Sequence, residues 1–347
     1  MKYISYKIIN KIAKDCSFWW GKIFTFYHFQ NKTDLMNLLP ACRVPTDIIE
    51  HLSPEIKKNN IFLAGVQIRV KTNAENLEFF ILYKKITTLM HMSTEATAGI
   101  DIYGYNGSEY IWYGCIAPSN YFQMHTHTAI KKHKDIEELV LYLPPFSKIE
   151  HLFVDVDSHD IKVVCQNSTD SVIVYGSSIS QGCAASRPAL SYVNLLSRKL
   201  NKNILNFGYS EAAKGEELLI DYISKLAGKI YILEYDHNAS FEELKETHNN
   251  VYLKIRENNK KSLIILLSRL SGGISISKSE EKKRINIIES TYRNALKCGD
   301  ENIIFINGSE LLSECKDVYF VDDRHPNDMG MAILADAIFH EICKRGL

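Results

Sequence analysis

Apolar and polar positions follow two rhythms along this chain, and the rhythm changes near residue 170. Before that point the apolar residues come in short runs. Residues 61–70 end in alternation, 77–83 are rich in β-favouring aromatics, and Ile100–Tyr105 meets Asn106-Gly107 and then 110–113. Asn-Gly between two such runs signals a hairpin, because both residues tolerate the positive φ of a tight turn. Further strands are expected at Glu138–Tyr142, 151–156 and 161–164. Short strands separated by turn signals predict an antiparallel, jelly-roll-like β-sandwich.

Beyond residue 170 the runs become continuous Ile/Leu/Val stretches that alternate with helical patterns. Strands are expected at 172–175, 204–207, 230–233, Leu263–Leu267 and Ile303–Ile306. Helices are expected at 189–200, 215–226, Phe241–Asn258, 280–297 and 328–344. Uninterrupted apolar strands between helices predict a parallel sheet covered on both faces, an α/β domain. The chain thus divides into an N-terminal helical or irregular segment (1–44), a sandwich (45–168) and an α/β domain (169–347). About five polar residues join the last two, a reach of at most about 18 Å. So short a junction predicts that the sandwich packs against the α/β domain, beside the carboxyl edge of its sheet. Residues 271–277 read as a surface loop.

Composition changes this picture little. The 347 residues are 46% hydrophobic, enough for two cores and against wholesale disorder. Lys and Arg total 41, equal to Asp and Glu, so no charge excess points to nucleic acid. No apolar run approaches the roughly 18 residues of a membrane span. The aromatic stretch from Phe18 to Tyr27 is interrupted by charge and lacks a cleavage site. It reads as an amphipathic helix packed on the body, or as a membrane-surface anchor. Eight dispersed cysteines form no CxxC pair, against a zinc knuckle or a disulfide scaffold. Reduced thiols in a cytoplasm are the expectation.

Ligands of doubly wound sheets bind beyond the carboxyl ends of the strands. Four loops lie there. Residues 176–182 (Gly-Ser-Ser-Ile-Ser-Gln-Gly) can present a serine oxygen at a strand-to-helix turn. Residues 208–215 follow the second strand. Residues 234–238 (Glu-Tyr-Asp-His-Asn) are a dense polar cluster. In 321–328, Asp322 precedes His325 by three residues, a spacing that lets the carboxylate hold one ring nitrogen while the other faces outward. Each loop alone reads as a capping turn; four at one sheet edge, in this order, point to a serine hydrolase.

These motifs resemble the SGNH hydrolases, also called GDSL-like esterases. Tyr175-Gly176-Ser177-Ser178 is similar to the family's first block, Asp236-His237-Asn238 to its third and Asp322-Asp323-Arg324-His325-Pro326-Asn327 to its last. Together with Ser186-Arg187-Pro188 they resemble a bacterial subgroup whose N-terminal sandwich carries Gly-x-Asp-Leu-Tyr. Gly99-Ile100-Asp101-Ile102-Tyr103 is the counterpart here. The likeness covers most of residues 60–345. It implies a three-layer, flavodoxin-like α/β domain with Ser178 as nucleophile, His325 as base and Asp322 as its orienting acid. The oxyanion would be held by the Ser178 N–H, the residue 211 N–H and Asn238. A small acylated substrate, an acetylated carbohydrate for instance, is implied, with no metal or organic cofactor.

One position departs from the family: Glu211 stands where its second block has glycine. A carboxylate near a developing oxyanion leaves three readings open: an esterase, an impaired glycan-binding relative, or an acyltransferase using the same acyl-enzyme. Arg187, Asp101 and Tyr103 are either substrate contacts or structural members. His125 and His127 face one side of a strand but lack a third ligand, so they read as structural. Residues 155–160 read as a polar hairpin turn and 131–134 as a solvated basic turn. Nothing in the sequence fixes the oligomeric state.

Overall fold

The computed structural model describes residues 33–38, 43–156, 161–164, 170–271 and 276–347. The expected helix before residue 33, the turn at 157–160, the junction at 165–169 and most of the loop at 271–277 lie outside the described residues.

The N-terminal part is a sandwich of two antiparallel sheets. Its strands are β1 (Thr33–Asp34), β2 (Gln67–Lys71), β3 (Asn76–Lys85), β4 (Ile100–Tyr105), β5 (Tyr110–Ile116), β6 (His125–Lys131), β7 (Glu138–Tyr142), β8 (Lys148–Val156) and β9 (Lys162–Val163). One sheet runs β1-β8-β3-β6 and the other β5-β4-β7-β2-β9. Alternate residues of facing strands close one core. Leu77, Phe79 and Ile81 of β3 meet Ile68 and Val70 of β2, Ile100 and Ile102 of β4, and Leu139 and Leu141 of β7.

A boundary at residue 45 does not separate the two cores. β1 pairs with β8 inside the sandwich. Residues 43–60, with helices α1 (Thr46–Ile49) and α2 (Pro54–Asn60), instead pack on the α/β domain through Val44, Leu52 and Ile56. The reason is an exposed sheet edge. Arg43 donates to the backbone oxygens of Asn206 and Gly208 at 3.0 and 2.7 Å and covers the edge strand of the parallel sheet. Residues 61–66, expected as strand, form turns, with Gly65 at φ +77° against the Asn206 side chain. After these comes the short helix α3 (Thr94–Ala98) of the sandwich.

The second part comprises β10 (Ser171–Gly176), α4 (Ser178–Gln181), α5 (Tyr192–Leu200), β11 (Ile204–Gly208), α6 (Glu217–Ser224), β12 (Gly228–Glu234), α7 (Phe241–Asn258), β13 (Leu263–Leu267), α8 (Lys278–Lys297), β14 (Ile303–Ile306), α9 (Gly308–Leu311), α10 (Lys316–Tyr319) and α11 (Asp328–Cys343). The sheet order is β11-β10-β12-β13-β14, all parallel: second, first, third, fourth, fifth. This is the flavodoxin-like order, whose switch point lies between β10 and β12. Ile173 and Tyr175 of β10 face α6, α7 and α8; Val172 and Val174 face α5 and α11. The result is three layers preceded by the antiparallel sandwich. Ser240 and Glu243 form a reciprocal capping box that starts α7. No helix among the described residues is long and apolar enough to cross a membrane.

The sandwich meets the α/β domain at the carboxyl edge of the sheet. Gln181 of α4 donates to the Pro145 carbonyl oxygen at 2.9 Å. Met92, Ala96 and Phe146 pack around Cys183.

Candidate active site

β10 ends at Gly176, and the chain turns at once into α4. Glycine is required at that turn, since a Cβ there would lie 2.0 Å from Ser180 Oγ. The Ser177 hydroxyl caps α4 by accepting the Ile179 N–H at 3.1 Å. Gly182 ends the helix in the left-handed conformation at φ +107°. Ser178 is thereby held at the helix start, at the switch point between β10 and β12.

The last loop is shaped to meet it. The Val321 N–H donates to the His325 carbonyl oxygen at 2.9 Å, which closes the loop. Asn327 caps α11 by accepting the N–H groups of Met329 and Gly330. His325 Nε2 lies 2.9 Å from Ser178 Oγ, and His325 Nδ1 lies 2.7 Å from Asp322 Oδ2. Asp322 Oδ1 accepts the backbone N–H groups of His325 and Arg324 at 2.7 and 2.9 Å. Burial pushes the Asp322 carboxyl up, but these hydrogen bonds outweigh it and hold it below its usual value. Burial keeps the His325 imidazole below its ordinary value against the pull of Asp322, with His91 and Arg324 adding to the effect. A neutral ring with Nδ1–H on a carboxylate and Nε2 on a hydroxyl is a base ready to take a proton.

The second and third loops close the other side. Gly208 lies flat on α4: a Cβ there would be 2.4 Å from the Gln181 nitrogen. Gln181 Oε1 accepts the Ser210 N–H at 2.7 Å, and Asn206 Nδ2 donates to the Ser180 oxygen at 2.7 Å. Glu211 sits at φ +62°, the left-handed region that suits glycine, with its side chain exposed. The position keeps the glycine backbone without the glycine. Asn238 donates one N–H to the Tyr209 oxygen at 2.7 Å, and this is the contact its amide makes among those described.

The rest of the third loop is structural. Arg284 reaches into it, donating to Asp236 Oδ1 at 2.7 Å and to the Asp236 and Ala239 oxygens at 2.6 Å. His237 accepts the Leu270 N–H at 3.1 Å, and burial beside Arg269 holds its ring neutral. Glu234 lies fully buried beneath the turn that carries Ser178. Burial pushes its carboxyl up to about 7, against hydrogen bonds from Ser180 and Ser177.

Arg187, Asp101 and Tyr103 meet as a clamp between domains. Arg187 donates to Asp101 Oδ1 at 2.6 Å and to the Tyr103 hydroxyl at 3.2 Å. Asp101 is wholly buried, and its oxygens also accept the Trp112 Nε1–H and the Ala189 N–H. Asp101 and Tyr103 therefore hold Arg187, whose guanidinium lies 4.3 Å from the Trp112 ring. His125 stacks on Phe80 and His127 pairs with Glu78.

No local spacing in the chain marks His91. It comes from the sandwich, stacks on His325 with ring centroids 5.5 Å apart, and places Nε2 3.2 Å from Cys183 Sγ. The Cys183 thiol is raised to about 12, first by burial and then by Asp322.

Residues 169–343 match the model of the GDSL-like lipase/acylhydrolase family, and 34–161 match that of the N-terminus of SGNH-hydrolase-type esterases with the GxDLY signature. Among curated proteins, no relative matches the chain. Of solved structures, one described as a GDSL-like lipase from Bacteroides ovatus is 24% identical, with a TM-score of 0.79, over 90% of this chain and 97% of that one. The salicylyl-acyltransferase SsfX3 of a tetracycline biosynthetic pathway is 16% identical, with a TM-score of 0.73, over 88% and 90%. A family two carbohydrate esterase from Clostridium thermocellum, solved with cellohexaose, is 13% identical, with a TM-score of 0.55, over 80% and 91%. On the two family matches, which together span most of its length, this chain belongs to the GDSL-like lipase/acylhydrolase family, with the GxDLY sandwich of the SGNH-type esterases at its N-terminus.

Proposed function

We propose that this chain is a serine esterase that removes small acyl groups, acetyl in particular, from a carbohydrate. The observation that carries the reading is the continuous relay from Ser178 Oγ through His325 to Asp322, at 2.9 and 2.7 Å. Ser178 attacks the ester carbonyl and His325 Nε2 takes its proton. Asp322 holds the Nδ1–H tautomer and stabilises the imidazolium. The N–H groups of Ser178 and Glu211 and the amide of Asn238 bind the oxyanion. His325 then protonates the leaving alcohol, and water cleaves the acyl-enzyme. No cofactor takes part in these steps. Arg187 serves as the substrate contact, with Asp101 and Tyr103 fixing its direction.

The sugar in this proposal is supported by the carbohydrate esterases that share the fold, and acyl transfer by the fold shared with the salicylyl-acyltransferase. The two differ only in the acceptor of the acyl group. An impaired, glycan-binding relative is the reading that Glu211 favours. A cytoplasmic location belongs to the same proposal and is supported by five free cysteines among the described residues. Hydrolysis of p-nitrophenyl acetate and of acetylated sugars by wild type and Ser178→Ala tests the reaction. Equal rates for the two would reject the triad. Mass spectrometry after adding free sugar separates hydrolysis from transfer.

A further inference from the structure

Three metal-ligating side chains converge at the edge of the site. His91, Cys183 and His325 each place one donor atom within 4.8 Å of the other two. Their origins are independent: His91 from the sandwich, Cys183 from the loop after α4, and His325 from the loop before α11. His91 Nε2 already lies 3.2 Å from Cys183 Sγ, and the two imidazoles are stacked at 16°. A tetrahedral zinc ion, with Zn–N about 2.0 Å and Zn–S about 2.3 Å, sets its ligand atoms roughly 3.3–3.6 Å apart. The His91–Cys183 contact is close to this spacing. The other two separations lie within 4.8 Å, and the near-parallel rings require the exposed His91 to turn before both Nε2 lone pairs point at one ion.

The donor set also fits in kind. Two imidazoles and a thiolate suit a borderline-soft divalent ion, and three protein ligands leave a fourth position open. Asp322 occupies Nδ1 of His325, so Nε2 is the donor that remains. A metal-bound histidine whose other nitrogen rests on a carboxylate is a common outer-shell arrangement, and here it exists before any ion arrives.

From these contacts we propose that His91, Cys183 and His325 form a zinc site that switches the esterase off. Zinc occupies the Nε2 lone pair that would accept the Ser178 proton. The Cys183 thiol is neutral in the metal-free chain, so binding forms the thiolate and releases one proton to solvent. No electron moves, and the ion leaves unchanged when a chelator removes it. The inhibitory part rests on the esterase reading above; the binding part does not.

The test has two readouts on the full chain. Calorimetric titration with zinc chloride, and absorption after loading with cobalt(II), report binding alone. The expected result is one tight equivalent per chain with a thiolate-to-cobalt charge-transfer band. Both are lost, or weakened at least about tenfold, in His91→Ala and in Cys183→Ser. His91 is exposed, so its truncation leaves the fold intact even if the buried Cys183 variant proves unstable. In parallel, p-nitrophenyl acetate hydrolysis should fall by about a hundredfold or more at saturating zinc, the loss of a general base, and return with chelator. His91→Ala should resist zinc, with its own zinc-free rate as the reference. No zinc equivalent that depends on His91 and Cys183, in a chain that hydrolyses the ester, would overturn the site. Such an equivalent with undiminished hydrolysis would overturn the switch. A His91-dependent equivalent in a chain with no Ser178-dependent hydrolysis would uphold the site while the esterase reading fails.

Discussion

Glu234 is bonded twice by Ser177, the residue before Ser178: the Ser177 N–H donates to it at 3.1 Å, and its hydroxyl is shared between the two carboxylate oxygens at 2.9 and 3.0 Å. Ser180 adds a third donor at 2.6 Å. One buried carboxyl therefore fixes both flanks of the residue that the proposed chemistry uses.

Because burial raises the folded Glu234 carboxyl to about 7, above its unfolded value of about 4.3, the folded state binds the proton more tightly. This group's contribution to stability is present below about pH 4.3 and declines as pH rises toward 7. Glu234→Gln removes that slope and turns an N–H toward the serine donors, at a cost of about 1–3 kcal/mol. Urea unfolding of both proteins between about pH 4.5 and about pH 7.5 checks this. The expected gap between them narrows as pH rises; a constant gap would contradict the assignment.

Glu211 holds a backbone conformation that costs an L residue roughly 1–2 kcal/mol, partly offset by the greater unfolded entropy of glycine. Glu211→Gly is expected to raise stability by about 1 kcal/mol, read from thermal or urea melts. If only the N–H at this position serves the reaction, kcat stays close to wild type. A steep rise in kcat would show that the carboxylate had been weakening the oxyanion site, and a loss of stability would contradict the strain.

His325 is held below the ordinary histidine value of about 6.5, so the acidic limb of kcat/KM is expected below that pH. The base is active when deprotonated, so a lowered value extends activity toward acid. Asp322→Asn removes the carboxylate that selects the tautomer and should lower kcat by roughly 10³–10⁴. A profile that falls off well above 6.5, or a variant of near-normal kcat, would remove Asp322 and His325 from these roles.

Much of the fold was legible in the chain. Leu263–Leu267 and Ile303–Ile306 are buried parallel strands, so they read as unbroken apolar runs with defined ends. Phe241–Asn258 is a single long helix whose expected bounds match those found. Asp322 and His325 were visible because three residues of one tight loop bring them together. His91, by contrast, meets Cys183 and His325 only through the docking of two domains, which no local spacing encodes. Arg43 likewise acts on backbone oxygens of a distant edge strand, so nothing nearby marks residues 43–60 as part of the second domain. Glu234 stood out as one member of a polar cluster. Its place under α4 depends on the pairing of β10 with β12, which sets Gly176 opposite it.

The relay itself is tested most directly by the mass of the chain after exposure to a fluorophosphonate, which phosphonylates a serine only when a neighbouring base activates it. The expected result is a single adduct on the peptide that carries Ser178, absent in Ser178→Ala and formed far more slowly in His325→Ala. No adduct, or one that forms at the same rate in Ser178→Ala, would contradict the assignment of Ser178, His325 and Asp322 as a working triad.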